Sequence, residues 1–470
     1  RRRHSFPTRR SSDLTQSLGH DVFHRGAHFA GDELVFGLAG ELGLGHFDAQ
    51  YAAQAFAHVV TADFDFLLFG DLVFLDVLAD HAGHRCAQTG QVGAAVTLGD
   101  VVGEAQNRFV VAVVPLHGHF DTDAGAGDAA VAVGRALAVG MKGVGVQHLF
   151  IGVDEVQIEC SGTAALVVAL EALKTLSNRK QVVISAYTCP WVALAVIKAN
   201  LIPVLADSRS GHFDFCENSL KSVVNNETLA VVHTHLAGRV ADVEKTIEIA
   251  KSAGALVIED AAQSMGAKLN DKAVGSFGDI GFFSLGVGKG LTIFAGGCVV
   301  TENPKLREAL RRVGETLPSN HLLEARRILE LFAYYIFYRP VGMGLAFGHH
   351  LRRKLKRGDL IQAVGDDCSF AFPLHKVGTW RKLIGANAAG RLPRFMEETR
   401  FLAENRLSKL RKIPNVKVMQ DIEDGEGVWP FFILLMPSAA IRDAVLKQLW
   451  DKGLGVGRLF IHALKDYEYL

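Results

Sequence analysis

Residues 1–141 contain no lysine, the first being Lys142, and no tryptophan precedes Trp191. Lysine is among the commonest residues of soluble domains. Its absence over such a length sets this part of the chain apart, and a boundary is expected at about residues 135–150. Histidine is skewed the other way, with 11 of the 19 in the first 150 residues. Net charge is also missing: 50 Lys+Arg balance 50 Asp+Glu to +0, which leaves no global field to favour nucleic acid or an anionic membrane. The 6 cysteines show no paired spacing, which excludes a disulfide framework and points to a reducing, cytoplasmic setting. No apolar stretch follows the first basic residues, so no secretory signal is expected. At 49% hydrophobic and 21% charged residues, the 470-residue chain reads as globular and long enough for roughly two to three domains.

The opening string, RRRHSFPTRRSSDL, is basic and Ser-rich, as a transit peptide is. It more closely resembles the conceptual translation of sequencing-adapter DNA. From Thr15 to about Gly134, apolar clusters alternate with Gly and Asp, and neither the strand period nor the helix period persists. That texture is similar to antisense frames of GC-rich genes, often labelled NAD-specific glutamate dehydrogenase. A dinucleotide site needs G-x-G-x-x-G after a strand, and the segment has none. His81-x-x-His84-x-Cys86 lacks a second ligand pair and is read as a composition accident, so no metal is expected. Residues 1–147 are expected not to form a natural domain.

From residue 148 apolar runs alternate with amphipathic segments. Val156–Glu159, Gln181–Ser185, Ile202–Ala206, Leu229–His233, Ala255–Ile258 and Cys298–Thr301 read as strands. Thr163–Leu176, Trp191–Ala199 and Val240–Ala253 read as helices. The alternation implies βαβ units and an α/β fold with a mostly parallel sheet between helices, whose ligands bind beyond the carboxyl ends of the strands. Residues with special chemistry fall there. Cys160-Ser161-Gly162-Thr163 runs from strand into helix and suits either a helix cap or a phosphate. Trp191 follows the next strand and is either a core residue or an aromatic that stacks on a planar ligand. His233 and His235 end another strand without a visible third metal ligand, and a polar lining role is expected. Asp260 ends the strand from Ala255, with Gln263 after it; Ser284 and Lys289 follow among Gly286, Gly288 and Gly290. A nucleotide-binding P-loop would need glycine at position 283 and Ser or Thr at 290, where the chain has Phe283 and Gly290. Together these parts suit pyridoxal 5'-phosphate: a phosphate cradle, a stacking aromatic, an acid for the ring nitrogen and an amine for the aldehyde.

The strings SGTAAL, AYTCPWVALAVIKANLIPVLAD, HLAGRVADVEKTIEIAKSAGALVIEDAAQSMGA and VGSFGDIGFFSLGVGKGLTIFAGGCVVT resemble the DegT/StrS sugar aminotransferases of fold type I, over about residues 149–470. The resemblance implies that Lys289 carries the cofactor and shuttles the proton, and that Asp260 keeps the pyridine nitrogen protonated. It places Gln263 at the ring's phenolic oxygen, Gly162, Thr163 and Ser284 at the phosphate, Trp191 on the ring and His235 toward substrate. It also implies amino transfer from an amino acid, usually glutamate, to a nucleotide-linked keto sugar in polysaccharide biosynthesis, by a cytoplasmic homodimer. Family members that are dehydratases carry His at the lysine position, so Lys289 favours transfer. The alternatives are an inactive chimeric fragment and an NAD-dependent glutamate dehydrogenase residing in the first segment.

The expected organisation is an anomalous segment 1–147, a cofactor-binding large domain 148–315, a helical insertion 316–382 and a small C-terminal α+β domain 383–470 that reads as cut short. In the insertion, an apolar, aromatic stretch broken at Arg339-Pro340 precedes a basic cluster, Arg352, Arg353, Lys354, Lys356 and Arg357. It is read as helices covering the site or a dimer interface rather than as a membrane contact. Leu383–Leu410 reads as one long helix, Pro430–Met436 as a strand and Ile441–Lys452 as a helix.

Overall fold

A computed structural model describes residues 110–113, 155–338, 340–452 and 455–470. Arg1–Leu14 and the His81, His84 and Cys86 cluster lie outside the described residues. The strands, in chain order, are β1 (Val110–Val113), β2 (Gln157–Glu159), β3 (Gln181–Ser185), β4 (Ile202–Ala206), β5 (Thr228–Thr234), β6 (Leu256–Asp260), β7 (Lys268–Leu269), β8 (Lys272–Ala273), β9 (Ile280–Ser284), β10 (Gly297–Val300), β11 (Lys417–Val418), β12 (Gly425–Glu426), β13 (Phe432–Leu435) and β14 (Val456–Gly457). The main sheet has the order β2-β10-β9-β6-β5-β3-β4. Strands β4, β3, β5, β6 and β9 are mutually parallel, while β10 runs antiparallel to both β9 and β2.

The side-chain alternation of the central strands explains the layers. Val182, Ile184, Ala230, Val232 and Ile258 enter one core with helices α1 (Gly162–Lys174) and α2 (Pro190–Lys198). Val183, Val231 and Val257, one residue out of phase, enter a second core with α3 (Glu217–Val223) and α4 (Val243–Ser252). Both faces are thus covered, as near-continuous β-branched runs require. The expected α/β architecture with a mostly parallel sheet is what the structure shows. Helix ends differ from the sequence reading by a few residues because caps set them: Ser161 and Asp242 accept the backbone N–H groups of Ala164 and Lys245.

Helices α5 (Pro304–Thr316), α6 (His321–Phe337), α7 (Pro340–Met343), α8 (His349–Lys356) and α9 (Leu360–Val364) follow the sheet. The single helix expected over Leu383–Leu410 is instead two, α10 (Thr379–Ala389) and α11 (Leu392–Leu410). Gly390 ends the first, and Pro393, which has no N–H to donate, sits in the opening turn of the second. Helix α12 (Ala439–Leu449) flanks a smaller sheet of order β11-β13-β1-β14. Within it β1 pairs antiparallel with β13, Val110 opposite Leu435 and Val113 opposite Phe432. Val110–Val113 belongs to the lysine-free segment. Four residues are too few for alternation to mark them as a strand against their apolar surroundings.

Candidate active site

The parallel strands deliver their carboxyl ends to one edge, and the chemistry gathers there. Asp260 closes β6 and is buried, 5% exposed. Its Oδ1 accepts the Ala262 N–H at 3.1 Å, and the Thr234 hydroxyl donates to Oδ2 at 3.4 Å. Burial pushes its carboxyl above the ordinary range, against the pull of the Ala262 amide and the Lys289 ammonium. Lys289 sits on the glycine-rich loop between β9 and β10. Burial lowers its pKa, while Cys189 and Asp260 act in the opposite direction. The structure therefore brings Asp260 and Lys289 into one electrostatic unit.

Next to them is a close approach of backbone to side chain. A Cβ added at Gly162 would lie 3.0 Å from Ser284 Cβ, and one added at Gly286 would lie 3.2 Å from Ser284 Oγ. Gly162 and Thr163 open α1, where backbone N–H groups have no partner within the helix and the dipole favours an anion. Ser161 is committed to its cap, while Ser284 Oγ accepts the Gly286 N–H at 3.3 Å and keeps its own proton to donate. The residues present fit a phosphorylated pyridine aldehyde: a small-residue cradle at a helix start, a buried acid and a half-buried lysine.

The other expected residues make contacts within the protein. His235 was expected to meet substrate, but both ring nitrogens bind protein. Nε2 lies 3.1 Å from Glu259 Oε2, and Nδ1 accepts the Ala241 N–H at 3.1 Å, with the residue 1% exposed. Its role is to position β5 against β6, because Glu259 also accepts the amides of Gly275, Phe277 and Gly278 at 2.8, 2.6 and 2.6 Å. Gln263 Oε1 accepts the Ala237 N–H at 2.7 Å, which holds the 235–240 loop. That loop turns through left-handed Ala237 and Gly238, where a Cβ on Gly238 would come within 2.2 Å of Pro430. Trp191 packs edge-on to Phe372 with centroids 5.6 Å apart. The residue of its turn that acts on Lys289 and Asp260 is Cys189, whose thiol burial pushes up to about 12. Sequence reasoning missed Cys189. The signal was Pro190 at the first position of α2, which confines Cys189 to extended backbone (φ −59, ψ 127) at the strand mouth.

Two further elements wall this edge. The Leu464 N–H donates to Ala186 O at 2.9 Å, and Tyr187 Oη donates to Phe460 O at 3.2 Å. Asp366 accepts the Ile461 N–H at 2.9 Å and the Tyr467 hydroxyl, and burial raises its carboxyl to about 6. On the other side Glu324 of α6 binds Arg381 and His375, and Arg381 reaches Ala295 O on the lysine loop.

Acid should loosen the sheet beneath the site. Burial pushes His233 down to about 3, with Nδ1 2.8 Å from Thr246 Oγ1. In the unfolded chain its pKa is about 6.5, so between those values the unfolded state binds the extra proton and stability falls as pH falls. For Glu259, burial raises the carboxyl, but His235 and the Gly278 and Gly275 amides hold it net below its ordinary value. Its contribution is complete above the unfolded carboxylate pKa and is lost on further acidification. Because buried carboxyls such as Asp366 gain stability over the same range, the test compares His233→Gln with the unaltered chain: the urea midpoint of the variant should fall less, or rise more, between pH 7 and pH 4.5. An identical pH dependence in the two proteins would refute the neutral buried imidazole.

Comparison with known proteins agrees with this geometry. Residues 148–321 match the model of the DegT/DnrJ/EryC1/StrS aminotransferase family. A UDP-N-acetyl-3-dehydro-alpha-D-glucosamine 3-aminotransferase of Acidithiobacillus ferrooxidans is 35% identical over 181 residues, 38% of this chain and 47% of that protein. The chain thus spans less than half the length of the curated relatives it matches most strongly. Among solved structures, the aminotransferase TlmJ of Streptoalloteichus hindustanus shares the fold at TM-score 0.51 and 19% identity, over 74% of this chain and 83% of TlmJ. An E. coli GDP-4-keto-6-deoxy-D-mannose-3-dehydratase with bound hydrated PLP shares it at TM-score 0.50 and 20% identity, over 72% and 83%. The chain thus shares its fold with these two enzymes.

Proposed function

We propose that the chain is a PLP-dependent aminotransferase that moves an amino group from an amino acid, glutamate in the first instance, to a nucleotide-linked keto sugar. The observation that carries this reading is the gathering of Asp260 at the end of β6, Lys289 on the loop after β9 and the Gly162–Ser284 close approach at one edge of the sheet. The shared fold serves a dehydratase as well as aminotransferases, so the fold does not choose between them. A lysine at 289 favours transfer.

PLP, when bound, supplies an electron sink for the carbon from which a proton is removed. Asp260 would hold the ring nitrogen's proton, its raised pKa fitting a shared proton at that place. Gly162, Thr163 and Ser284 would hold the phosphate. Lys289 Nζ would carry the aldehyde and then move the proton, because burial makes its neutral amine accessible nearer neutral pH. Trp191 and Phe372, together with the 460–467 segment, would limit water at the edge. The relatives' names support a sugar substrate. A cytoplasmic homodimer acting in polysaccharide biosynthesis is the setting consistent with this reading.

The test is to load the full chain with PLP, reduce with borohydride and map peptides by mass. The cofactor should be found on Lys289, and glutamate added before reduction should prevent this while releasing 2-oxoglutarate. Cofactor on another lysine, or on none, would sink the assignment.

A further inference from the structure

Helix α6 is built inside out. Leu322, Ala325, Leu329, Phe332 and Ile336 recur at helical spacing on one face, and each is exposed: Leu322 75%, Leu329 64%, Phe332 61% and Ile336 49%. Tyr335, beside them, is 70% exposed. The charged residues point the other way. Glu324 is buried against Arg381 and His375, and Glu330, 5% exposed, binds Arg326 at 2.8 Å and Arg327 at 2.6 Å. The same inner face lays Leu331 and Tyr334 on Val287 and Phe294 of the lysine loop. A surface helix normally shows the opposite arrangement.

The next helical stretch continues the pattern. Between α7 and α8 a π-turn over Gly344–Gly348 keeps the backbone helical, with Met343 and His349 in right-handed conformation. Val341 and Leu345 are exposed, 63% and 72%, and one to three turns on come exposed Arg352, Arg353, Lys356 and Arg357. From His321 to Arg357 the sole carboxylates are Glu324 and Glu330, both buried and paired. The outward face is therefore apolar, then cationic, with no exposed acid.

We propose that the outer face of α6 with α7 and α8 docks the protein on an anionic membrane surface. Apolar side chains entering the headgroup boundary beside a basic run is the chemistry of peripheral amphipathic helices. A second copy fits less well. In a two-fold contact the patch would supply both sides, and the basic run would find no exposed carboxylate within it to answer its charge. Among the described residues no helix is long and apolar enough to cross a membrane, which leaves contact at the surface. The docking face and the lysine loop lie on opposite sides of one helix, so the site would be held close to the bilayer.

The experiment floats the full chain with vesicles of phosphatidylcholine alone and of phosphatidylcholine with phosphatidylglycerol, at low and high salt. Flotation is expected with the anionic vesicles and should weaken with salt. Arg352→Gln with Arg353→Gln should lower the partition coefficient roughly fivefold per cation. Leu329→Gln with Phe332→Gln should lower it about tenfold or more. These side chains are exposed, so matching thermal melts will show that the variants are folded. Absence of flotation, equal flotation on neutral vesicles, or variants that float unchanged would each overturn the proposal. So would sedimentation showing that the Leu329→Gln, Phe332→Gln variant breaks a dimer while the unaltered chain stays off the vesicles; the face would then cover a second copy.

Discussion

Lys289→Ala is expected to lower kcat for amino transfer by about 10⁴-fold while leaving the fold intact, because it removes the amine that, among the described residues, acts on Asp260. Lys289→Arg tests the same point from the other side. The guanidinium keeps the charge and most of the volume, but it does not release a proton near neutral pH, so activity should stay close to that of the alanine variant. Substrate binding should change far less than kcat, since the phosphate cradle at Gly162 and Ser284 is untouched. A small added amine, such as methylamine, should restore part of the rate to Lys289→Ala and none to Lys289→Arg, whose side chain fills the space. If the alanine variant retained more than about a hundredth of the rate, the proton would have to be carried by another group. Of the two titratable groups that act on Lys289, Asp260 is assigned to the ring nitrogen, and Cys189, whose thiol is raised to about 12, offers almost no thiolate at neutral pH.

Much of this site was legible in the sequence because its determinants are local. A strand that ends in Asp260, a Gly-rich loop around Lys289 and a Ser-Gly-Thr turn into helix each follow from short-range rules, and β-branched runs separated by amphipathic segments gave the layers. What was not legible depends on contacts distant in sequence. His235 has the same polar character whether it faces a ligand or a neighbouring strand; its bond to Glu259, 24 residues on, decides the matter. Trp191 meets Phe372, 181 residues on, edge to face, a contact its own turn does not announce, and Cys189 of the same turn acts on Lys289. The break at Gly390 was hidden by apolar spacing that runs on through it. Nor could composition show that Glu324 and Glu330 turn inward on α6, since the periodicity identifies two faces without saying which one meets the protein.

The largest effect on stability should come from Arg239, and it bears on how the site loop is held. Arg239 is 1% exposed; its Nη2 lies 2.8 Å from Asp214 Oδ1, and its Nη1 donates to Gln420 O at 3.0 Å. Asp214 is buried as well. Burial would raise its carboxyl, but His212 and Arg239 hold it far below the usual carboxylate range. Arg239→Ala would leave this carboxylate buried with the half-exposed Arg209 at 3.0 Å and His212 at 3.3 Å. The cost of stranding a buried charge is about 3–5 kcal/mol, a large share of the 5–15 kcal/mol by which domains are typically stable. Arg239→Lys should recover a part, since a single ammonium cannot reach both Asp214 and Gln420 in the geometry of the guanidinium fork. Arg239→Met combined with Asp214→Asn should recover more than Arg239→Met alone, because a pair removed together leaves no unanswered charge. Guanidinium unfolding of the four variants separates these cases. Should the double variant be as unstable as the single, the burden lies in the bond to Gln420 O and the lost packing of the arginine stem rather than in the ion pair. Because Arg239 follows the left-handed pair Ala237 and Gly238, whose backbone is held by Gln263, a loosened Arg239 should also weaken PLP retention before it lowers overall folding. Cofactor release measured against urea concentration would then precede loss of helical signal in Arg239→Lys and coincide with it in the unaltered chain.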